Sequence, residues 1–411
     1  MQKINYIDLF AGAGGMSEGF IRAGFEPIAH VEMNKDACDT LRTRTSFHYL
    51  KNENRIDEYY DYLRGAFSKE TLWKKVPKNL IDSVINKEIS EKSLTKIFDQ
   101  IDIELQGNDV DLIIGGPPCQ AYSIAGRARD PKGMKEDPRN HLYKHYVEFL
   151  KKYKPKMFVF ENVPGILSAN NGKYLDMIFE AVNDAGYDLD KNILNAKNFN
   201  VLQDRKRVII IGWRKEFQFN YPKFENQEPK FKVLSDLLSD LPKIQNGGGN
   251  WGISKYSSKI TEYLENSKIR NCIDFTTQHI SRPNNQNDLE IYRIAVDNWV
   301  NKGKRLNYGE LPTHLIKHNN TNSFTNRFQV VNHNGISHTV VAHIAMDGHY
   351  YIHPDITQNR SITVREAARI QSFPDDYFFE TSRTSAFKQI GNAVPVLMAE
   401  GIANKIKEML R

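Results

Sequence analysis

The sequence predicts a doubly wound α/β domain followed by a smaller, irregular second domain. Short runs rich in β-branched and aromatic residues alternate with helical patterns through the first half of the chain, which is typical of a parallel sheet with crossover helices. A glycine-rich turn joins the first strand to the first helix, as in folds that bind a nucleotide at the carboxyl edge of the sheet. After Trp213 the alternation stops and turn formers mix with aromatic residues, which indicates a change of domain.

The predicted elements can be taken in chain order. The strand candidates are residues 5–10, 27–32, 110–115, 157–161 and 207–213. The helix candidates are one closed by the glycines between residues 19 and 24, and residues 143–153, 363–371 and 395–409. The stretch at about 40–108 is too long for one crossover, and its helical periodicity around Ile97 and Ile101 indicates a helical insertion.

Composition supports a globular protein and excludes several other classes. The 411 residues carry 56 Lys and Arg against 50 Asp and Glu, and 40% are hydrophobic, so a charged disordered tail is excluded and a sizeable core is available. The net charge of +6 is only weak support for a polyanion partner. Three widely spaced cysteines favour neither a disulfide framework nor a cysteine-rich zinc site, and no leader or membrane-spanning run is apparent, so we expect a cytoplasmic protein.

The glycine loop and the acid that follows it predict a nucleotide-type cofactor. The first strand ends in Asp8-Leu9-Phe10-Ala11-Gly12-Ala13-Gly14-Gly15, where the chain must turn tightly. A dinucleotide fingerprint would have glycine where this chain has Ser17, which weakens a nicotinamide interpretation. Glu32 ends the second strand 20 positions after Gly12, as expected for a carboxylate that accepts ribose hydroxyls. An adenosine-bearing cofactor fits both features.

A lone cysteine follows the third predicted strand. The segment Gly115-Gly116-Pro117-Pro118-Cys119-Gln120 places Cys119 at the carboxyl end of a parallel strand, where doubly wound domains carry their chemistry. A thiolate is a strong nucleophile near neutral pH. The alternative is a small buried hydrophobic residue.

Six motifs in one order carry a resemblance to a known family. They are Asp8 to Gly15, Gly116-Pro117-Pro118-Cys119-Gln120, Glu161-Asn162-Val163-Pro164-Gly165, Gln203-Asp204-Arg205-Lys206-Arg207, Arg365 to Pro374, and Gln389-Ile390-Gly391-Asn392-Ala393-Val394. In these motifs the chain resembles the cytosine-C5 DNA methyltransferases of bacterial restriction-modification systems. The resemblance implies a doubly wound S-adenosylmethionine-dependent methyltransferase domain with a mixed, mostly parallel sheet, and a smaller irregular target-recognition domain.

The resemblance also implies roles for the catalytic residues. Cys119 would add to C6 of cytosine and so activate C5, and Glu161 would supply a proton at N3. Arg207 would face the ring O2, whereas Arg205 would tie the loop together. The base must leave the duplex for this chemistry, and residues 121–135, which include Arg127, are predicted to close over it.

The implied cofactor is S-adenosyl-L-methionine, with S-adenosyl-L-homocysteine as product and no metal. Its predicted pocket contains a ribose ligand, a glycine backbone and packing residues: Phe10, Gly12, Gly14, Gly15, Glu32, Met33, Pro118, Leu142 and Asn392. Phe10 would stack on the adenine, Met33 and Leu142 would pack on its faces, and Asn392 would close the pocket. Seven histidines between 314 and 353 invite a metal hypothesis, but without nearby cysteine pairs we interpret them as polar or DNA-contacting residues.

The resemblance divides the chain by function. Residues 1–213 and 385–411 would form the catalytic and cofactor-binding domain, and residues 214–384 the target-recognition domain and hinge, with residues 247–251 as a candidate base-recognition loop. The expected partner is double-stranded DNA. We also expect a monomer whose cognate restriction endonuclease acts on the same sequence without forming a stable complex.

Some positions depart from the family pattern. Asp204 and Leu202 stand where Asn and Pro are usual, and Ala125 stands where some relatives have serine. The acid that contacts the adenine amino group is obscured by the insertion, with Asp102 and Asp109 as alternatives. Competing functions are an RNA cytosine-C5 methyltransferase, a catalytically silent DNA-binding regulator and, more remotely, a nicotinamide dehydrogenase.

Overall fold

A seven-stranded mixed sheet forms the centre of the fold. The structure is a computed structural model, and it describes residues 3–118, 142–271, 273–317 and 325–411. The sheet has the strand order β3-β2-β1-β4-β5-β7-β6, and two further strands form an antiparallel ribbon. In chain order the strands are β1 (Ile4–Leu9), β2 (Phe25–Glu32), β3 (Val84–Asn86), β4 (Leu112–Gly115), β5 (Met157–Asn162), β6 (Tyr187–Asn195), β7 (Lys206–Arg214), β8 (Gly249–Lys255) and β9 (Phe275–Ile280).

The sheet is doubly wound and mostly parallel. Strands β1 to β5 pair in parallel, whereas β7 runs antiparallel to both β5 and β6. The chain proceeds from β1 outward through β2 and β3, and then returns to place β4 on the other side of β1. A topological switch point therefore lies between β1 and β4, where Leu9 is paired with Gly115. The predicted fold class is confirmed.

Helices cover both faces of the sheet. They are α1 (Gly15–Arg22), α2 (Lys35–Asn52), α3 (Ile56–Leu63), α4 (Lys69–Trp73), α5 (Lys78–Asp82), α6 (Leu94–Leu105), α7 (Leu142–Tyr153), α8 (Lys173–Asp184), α9 (Glu262–Asn266), α10 (Gln286–Lys302), α11 (Val364–Ile370), α12 (Arg383–Asn392) and α13 (Val396–Leu410). One apolar core joins the sheet to α6, α7 and α8, and a second joins its other face to α1 and α13. Within the described ranges, no helix has both the length and the apolar character needed to cross a bilayer.

The predicted helical insertion contains a strand of the sheet. Strand β3 pairs in parallel with β2, with Val31 opposite Ile85, so α6 is the ordinary crossover between β3 and β4. The stretch 40–108 is therefore not helical throughout. The additional material consists of the second half of α2 together with α3, α4 and α5.

The additional helices pack against a distant segment, residues 376–380. Tyr59 on α3 donates a hydrogen bond to the Asp376 carbonyl at 2.7 Å, and Tyr62 donates to the Glu380 carboxylate at 2.6 Å. Arg44 on α2 forms an ion pair with Asp376 at 2.8 Å. The insertion is thus joined to the C-terminal part of the chain by buried polar contacts as well as by apolar packing.

The region after β7 has two further apolar cores. One contains α11 and α12 with Leu237 and Tyr351, and the other contains α10 with Tyr308 and Phe328. The candidate base-recognition loop is mostly regular structure, because its residues from Gly249 onward form the start of β8. The division of the chain at residues 213 and 385 remains a prediction.

Candidate active site

The glycine loop at the end of β1 brings bare backbone to the edge of the sheet. Phe10, Gly12 and Gly14 all have positive φ angles, of 57°, 55° and 79°. A Cβ atom on Gly14 would lie 2.7 Å from Leu41, whereas one on Gly12 would meet nothing within 4 Å. Glycine is thus needed at position 14 for packing, and the backbone at position 12 borders open space where a ligand can approach.

Glu32 is joined to this loop by hydrogen bonds. One carboxylate oxygen accepts from the Gly12 amide at 2.8 Å, and the other accepts from the Asn34 amide at 2.7 Å. Burial raises the pKa of Glu32, and these two backbone donors oppose that shift. Because a carboxylate offers about four acceptor sites, Glu32 retains the capacity to accept two hydroxyl groups. The arrangement therefore fits the ribose of an adenosine cofactor.

The remaining predicted cofactor residues lie at the same edge of the sheet. Phe10 and Met33 follow β1 and β2 directly, and Met33 is 61% exposed. Half-buried Pro118 lies three residues beyond β4, and half-buried Leu142 is the first described residue of α7. Asn392 is exposed at the end of α12.

The segment that follows Asn392 reaches the glycine loop. A Cβ atom on Gly15 would lie 2.5 Å from the Val394 carbonyl and 3.0 Å from the Ala393 Cβ atom. The Tyr377 hydroxyl also donates a hydrogen bond to the Ala13 carbonyl. The C-terminal part of the chain therefore forms one wall of the predicted cofactor site, and sequence reasoning missed the contribution of Tyr377.

Glu161 and Arg207 form an ion pair on neighbouring strands. Strand β5 pairs with β7 so that Asn162 is opposite Val208, which brings both side chains to one end of the sheet. The Nε atom of Arg207 lies 2.7 Å from the Oε1 atom of Glu161, and the side chains are 11% and 14% exposed. The second oxygen, Oε2, lies 2.7 Å from where a Cβ atom of Gly116 would be. An acid and a guanidinium are thus held together beside Gly116, which precedes Cys119 by three positions in the sequence.

Comparison with known proteins identifies the family. A sequence-family model described as C-5 cytosine-specific DNA methylase matches residues 4–66 and 69–408. The chain is 40% identical over 441 residues to the type II methyltransferase M.Bpa9945I of Bacillus paralicheniformis, with 98% of each chain covered. It is 33% identical to the type II methyltransferase M.DdeI of Desulfomicrobium norvegicum, with 98% of this chain and 88% of the relative covered. The chain belongs to the C-5 cytosine-specific DNA methylases.

Solved structures agree in fold with this methylase. An E. coli prophage-encoded protein assigned as a DNA modification methyltransferase superposes with a TM-score of 0.64 at 23% identity, covering 99% of both chains. The Entamoeba histolytica methyltransferase EhMeth gives a TM-score of 0.55 at 15% identity, covering both chains fully. At these identities the likeness concerns the fold alone. The prediction of a DNA cytosine-C5 methyltransferase is confirmed by the family and by the relatives.

Two predictions for the methylase lie outside the described residues. Cys119, the predicted nucleophile, and residues 121–135, the predicted closing loop, both fall in the range 119–141. Of the other two cysteines, Cys272 also lies outside the described residues, and Cys38 lies within them: its thiol is buried on α2 and donates to the Glu32 carbonyl at 3.3 Å. Burial raises the pKa of the Cys38 thiol to about 12, so Cys38 cannot supply a thiolate near neutral pH.

Arg205 links three parts of the methylase, as predicted. It is fully buried and donates to the carbonyl of Val340 at 2.6 Å and to those of Gly391 and Ala393 at 3.2 and 2.9 Å. Asp204, the departure from the usual Asn, accepts from the side-chain amide of Asn195 at 2.7 Å. The loop is therefore fixed by hydrogen bonds even with the substituted acid.

The structure places Asp102 and Asp109, the two alternatives for the adenine contact, at the edge of the sheet opposite the cofactor loop. Asp102 is near the end of α6, which returns to the amino edge of the sheet, and it pairs with Lys152. Asp109 precedes β4 and is therefore also at the amino edge, whereas the cofactor loop is at the carboxyl edge. The residues at the carboxyl end of β3, on the same edge as the cofactor loop, are Asn86, Lys87 and Glu88. A three-residue strand inside the insertion was too weak a signal to reveal them.

The histidine-rich region of the methylase contains buried, paired imidazoles. His353 is buried and His338 is half-buried, and burial lowers the pKa of His353 to about 3 and that of His338 to about 4. His338 contacts the Tyr350 carbonyl at 2.7 Å, and His279 contacts Thr363 and the Pro242 carbonyl. Among the described residues, no group of three or more His, Cys, Asp and Glu side chains could hold a metal ion.

Proposed function

We propose that this DNA cytosine-C5 methyltransferase transfers a methyl group from S-adenosyl-L-methionine to a cytosine rotated out of a specific duplex sequence, through a covalent bond between Cys119 and C6. The observation that carries this proposal is the Glu161–Arg207 ion pair. It lies at the same edge of the sheet as the glycine loop, on strands β5 and β7, which come after β1 and β4 in the strand order. Ligands of doubly wound sheets bind at this edge.

The residues at the glycine loop fit the proposed cofactor. Glu32 would accept the ribose hydroxyls, Phe10 and Met33 would pack on the adenine with Leu142, and the Gly12 backbone would approach the amino-acid end. S-adenosyl-L-methionine, when bound, supplies an electrophilic methyl group and leaves as S-adenosyl-L-homocysteine. Pro118 and Asn392 would close the pocket from the two sides.

The catalytic residues divide the work on the cytosine ring. The Cys119 thiolate would add to C6, and the electron pair displaced from the C5–C6 bond would make C5 nucleophilic. Arg207 engages Oε1 of Glu161 and leaves Oε2 on the side of Gly116, which precedes Cys119. Glu161 would thus present this oxygen to N3 of the ring and share a proton with it, while the Arg207 cation would stabilise charge at O2. Loss of the C5 proton and elimination of the thiolate would regenerate Cys119.

The biological setting follows from the relatives. Those named above are called type II methyltransferases, so we propose that the chain methylates host DNA in a restriction-modification system, in the cytoplasm. Its target-recognition region would be residues 214–384. It would act as a monomer, and the cognate endonuclease would recognise the same sequence without a stable complex.

Transfer of a labelled methyl group to DNA tests the proposal. The full chain is incubated with labelled S-adenosyl-L-methionine and either duplex DNA or structured RNA, and the product is located by conversion sequencing. We expect 5-methylcytosine in DNA only, and we expect no transfer by Cys119→Ser. Label on RNA alone, or activity retained by Cys119→Ser, contradicts the proposal.

Trapping with 5-fluorocytosine tests the covalent step. Because fluorine at C5 is not released as a proton is, the adduct should persist and be detected as a denaturation-resistant complex with DNA. The complex should form with wild type, Cys38→Ala and Cys272→Ala, and it should be lost in Cys119→Ser. A complex that survives in Cys119→Ser would assign the nucleophile to another residue.

A further inference from the structure

A cavity of about 560 Å³ lies in the region after β7, and none of the candidate active-site residues lines it. We call it the Phe328 cavity; its walls come from the start of α10, from residues 308–317 and from residues 326–350. Its volume falls within the range of about 300–1,000 Å³ that is typical of small-molecule sites. It is therefore large enough for a single nucleobase with part of its sugar.

The inner wall of the Phe328 cavity is aromatic. The ring of Phe328 is stacked on Tyr308 with centroids 6.0 Å apart and planes 10° apart, and it lies 4.7 Å from the ring of His349. The Arg327 guanidinium lies over the Tyr308 ring at 3.9 Å. Aromatic rings and guanidinium planes are the surfaces on which unstacked bases pack.

Hydrogen-bonding groups lie at the opening. The exposed Asn326 donates one N–H to the Tyr350 hydroxyl at 3.2 Å, which leaves its carbonyl oxygen and a second N–H available. In the part of the chain that the structure describes, the ammonium group of Lys317 and the ring of His343 make no hydrogen bond or ion pair. Both are exposed lining residues of the cavity.

The charges in the cavity favour a neutral ligand over a phosphate. Its two cations, Lys317 and Arg327, are balanced by two carboxylates, Asp288 and Asp347. A phosphate site would have an excess of cations or of backbone donors. A planar, neutral ligand with donors and acceptors along its edge matches the balanced charge, the amide and the aromatic wall.

One layer of hydrogen bonds joins the Phe328 cavity to the arginine loop of the active site. Thr339 donates to the Asp204 carbonyl at 2.6 Å, and the Tyr351 hydroxyl donates to the Thr339 carbonyl at 3.0 Å. The preceding residue, His338, contacts the carbonyl of Tyr350, which lines the cavity. A duplex whose cytosine reaches Arg207 would therefore meet a loop that is hydrogen-bonded to the residues beside the cavity.

We propose that the Phe328 cavity binds one nucleobase of the recognition duplex, other than the target cytosine, after that base has rotated out of the stack. Asn326 and Lys317 recognise its edge and the aromatic wall holds its ring, so the cavity determines the sequence preference at one position. This inference rests on the proposed DNA methyltransferase function, and its test separates the two. Free nucleosides share the same chemistry and are the alternative source of ligand.

Methylation of a randomised duplex library, followed by conversion sequencing, tests the proposal. Wild type gives the preference at each position around the methylated cytosine; no methylation by wild type would refute the proposed function rather than this inference. Asn326→Ala and Lys317→Ala are expected to lose about 10- to 100-fold of the discrimination at one position while preference elsewhere is kept. Asn301→Ala, an exposed amide on α10 outside the cavity, is the matched control and keeps the full profile.

A fluorescent base shows whether rotation occurs. 2-Aminopurine placed at the affected position should become brighter when wild type binds the duplex, and this increase should be absent with Asn326→Ala. An unchanged profile in both variants, or an equal loss of preference at every position, overturns the proposal. So does binding of free adenosine or guanosine that alters methyl transfer by wild type and is lost in Asn326→Ala, because the cavity would then be an effector site.

Discussion

A single methyl group added at Gly116 should displace the catalytic acid. The Cβ atom of Gly116→Ala would lie 2.7 Å from Oε2 of Glu161, where ordinary contact begins at 3.4 Å. Glu161 must therefore move by about 0.7 Å, because the new atom is fixed to the backbone. The Nε–Oε1 distance of the Glu161–Arg207 ion pair is 2.7 Å, so a shift of this size is large relative to the contact. The pair would lengthen or separate.

The expected result is a loss of rate without a loss of binding. Misplacing a reacting group by about 1 Å can cost about 100-fold, so we expect kcat of Gly116→Ala to fall about 10- to 100-fold. Dissociation constants for duplex DNA and S-adenosyl-L-homocysteine should change less than about threefold. Single-turnover methyl transfer gives the rate, and calorimetry gives the affinities.

A control separates this effect from the general cost of adding a methyl group to glycine. Gly65 is in the turn before α4 with φ of 83°, and a Cβ atom there would meet nothing within 4 Å. Gly65→Ala should lower the free energy of unfolding by about 1 kcal/mol and leave kcat unchanged. If Gly116→Ala keeps a wild-type kcat while Glu161→Gln is inactive, the position of Glu161 does not depend on Gly116 and the reasoning is refuted.

Three further predictions concern the cofactor, the loop and pH. Glu32→Gln should weaken S-adenosyl-L-homocysteine binding about 10- to 100-fold in calorimetry, because the side-chain NH2 of glutamine would face a backbone N–H that now donates to a carboxylate oxygen. An unchanged Kd would contradict this. Arg205→Lys should lower the free energy of unfolding in urea by about 2–5 kcal/mol, because buried carbonyls lose their donors, and a loss below about 1 kcal/mol would count against it. Burial lowers the pKa of His353 from 6.5 to about 3, so the unfolded chain binds the extra proton and stability falls as pH decreases from about 6.5 to 3. His353→Gln should reduce this slope by about 1.4 kcal/mol per pH unit, measured by urea unfolding from pH 4 to 6; an unaltered slope would assign it to other groups.

The parts of the fold that the sequence predicted are those with strong local patterns. The central strands are buried on both faces and therefore appear as continuous apolar runs, such as the one at 110–115. Strand β6 was missed because it is an edge strand that carries Asp190 and Lys191 on exposed positions. Without β3 the direction of the chain through the insertion could not be followed, and this is why the sequence left Asp102 and Asp109 as alternatives although both lie at the amino edge of the sheet.

Within the candidate site, the sequence motifs predicted which residues matter but not which of them touch. Arg205 and Arg207 are two positions apart and have different partners. Arg205 precedes β7 and donates to three backbone carbonyls, whereas Arg207 is the second residue of β7 and pairs with Glu161. The family motif assigned different roles to the two arginines, whereas their local sequence alone does not distinguish them. Gly116 and Glu161 are 45 positions apart in the sequence, and they are close because β4 pairs with β5. Such contacts become visible only once the sheet order is known.

The insertion helices have a structural role at the cofactor loop. Arg44 on α2 is buried between Glu18 on α1 and Asp376, with contacts at 2.5 and 2.8 Å. Burial alone would raise the pKa of Glu18, yet the Arg44 guanidinium holds it well below its usual range. Because each of these charges would be left uncompensated without the others, α1, α2 and the segment 376–380 are held as one unit. Tyr377 in that segment donates to the Ala13 carbonyl of the glycine loop, so the inserted helices stabilise the wall against which the cofactor is expected to bind.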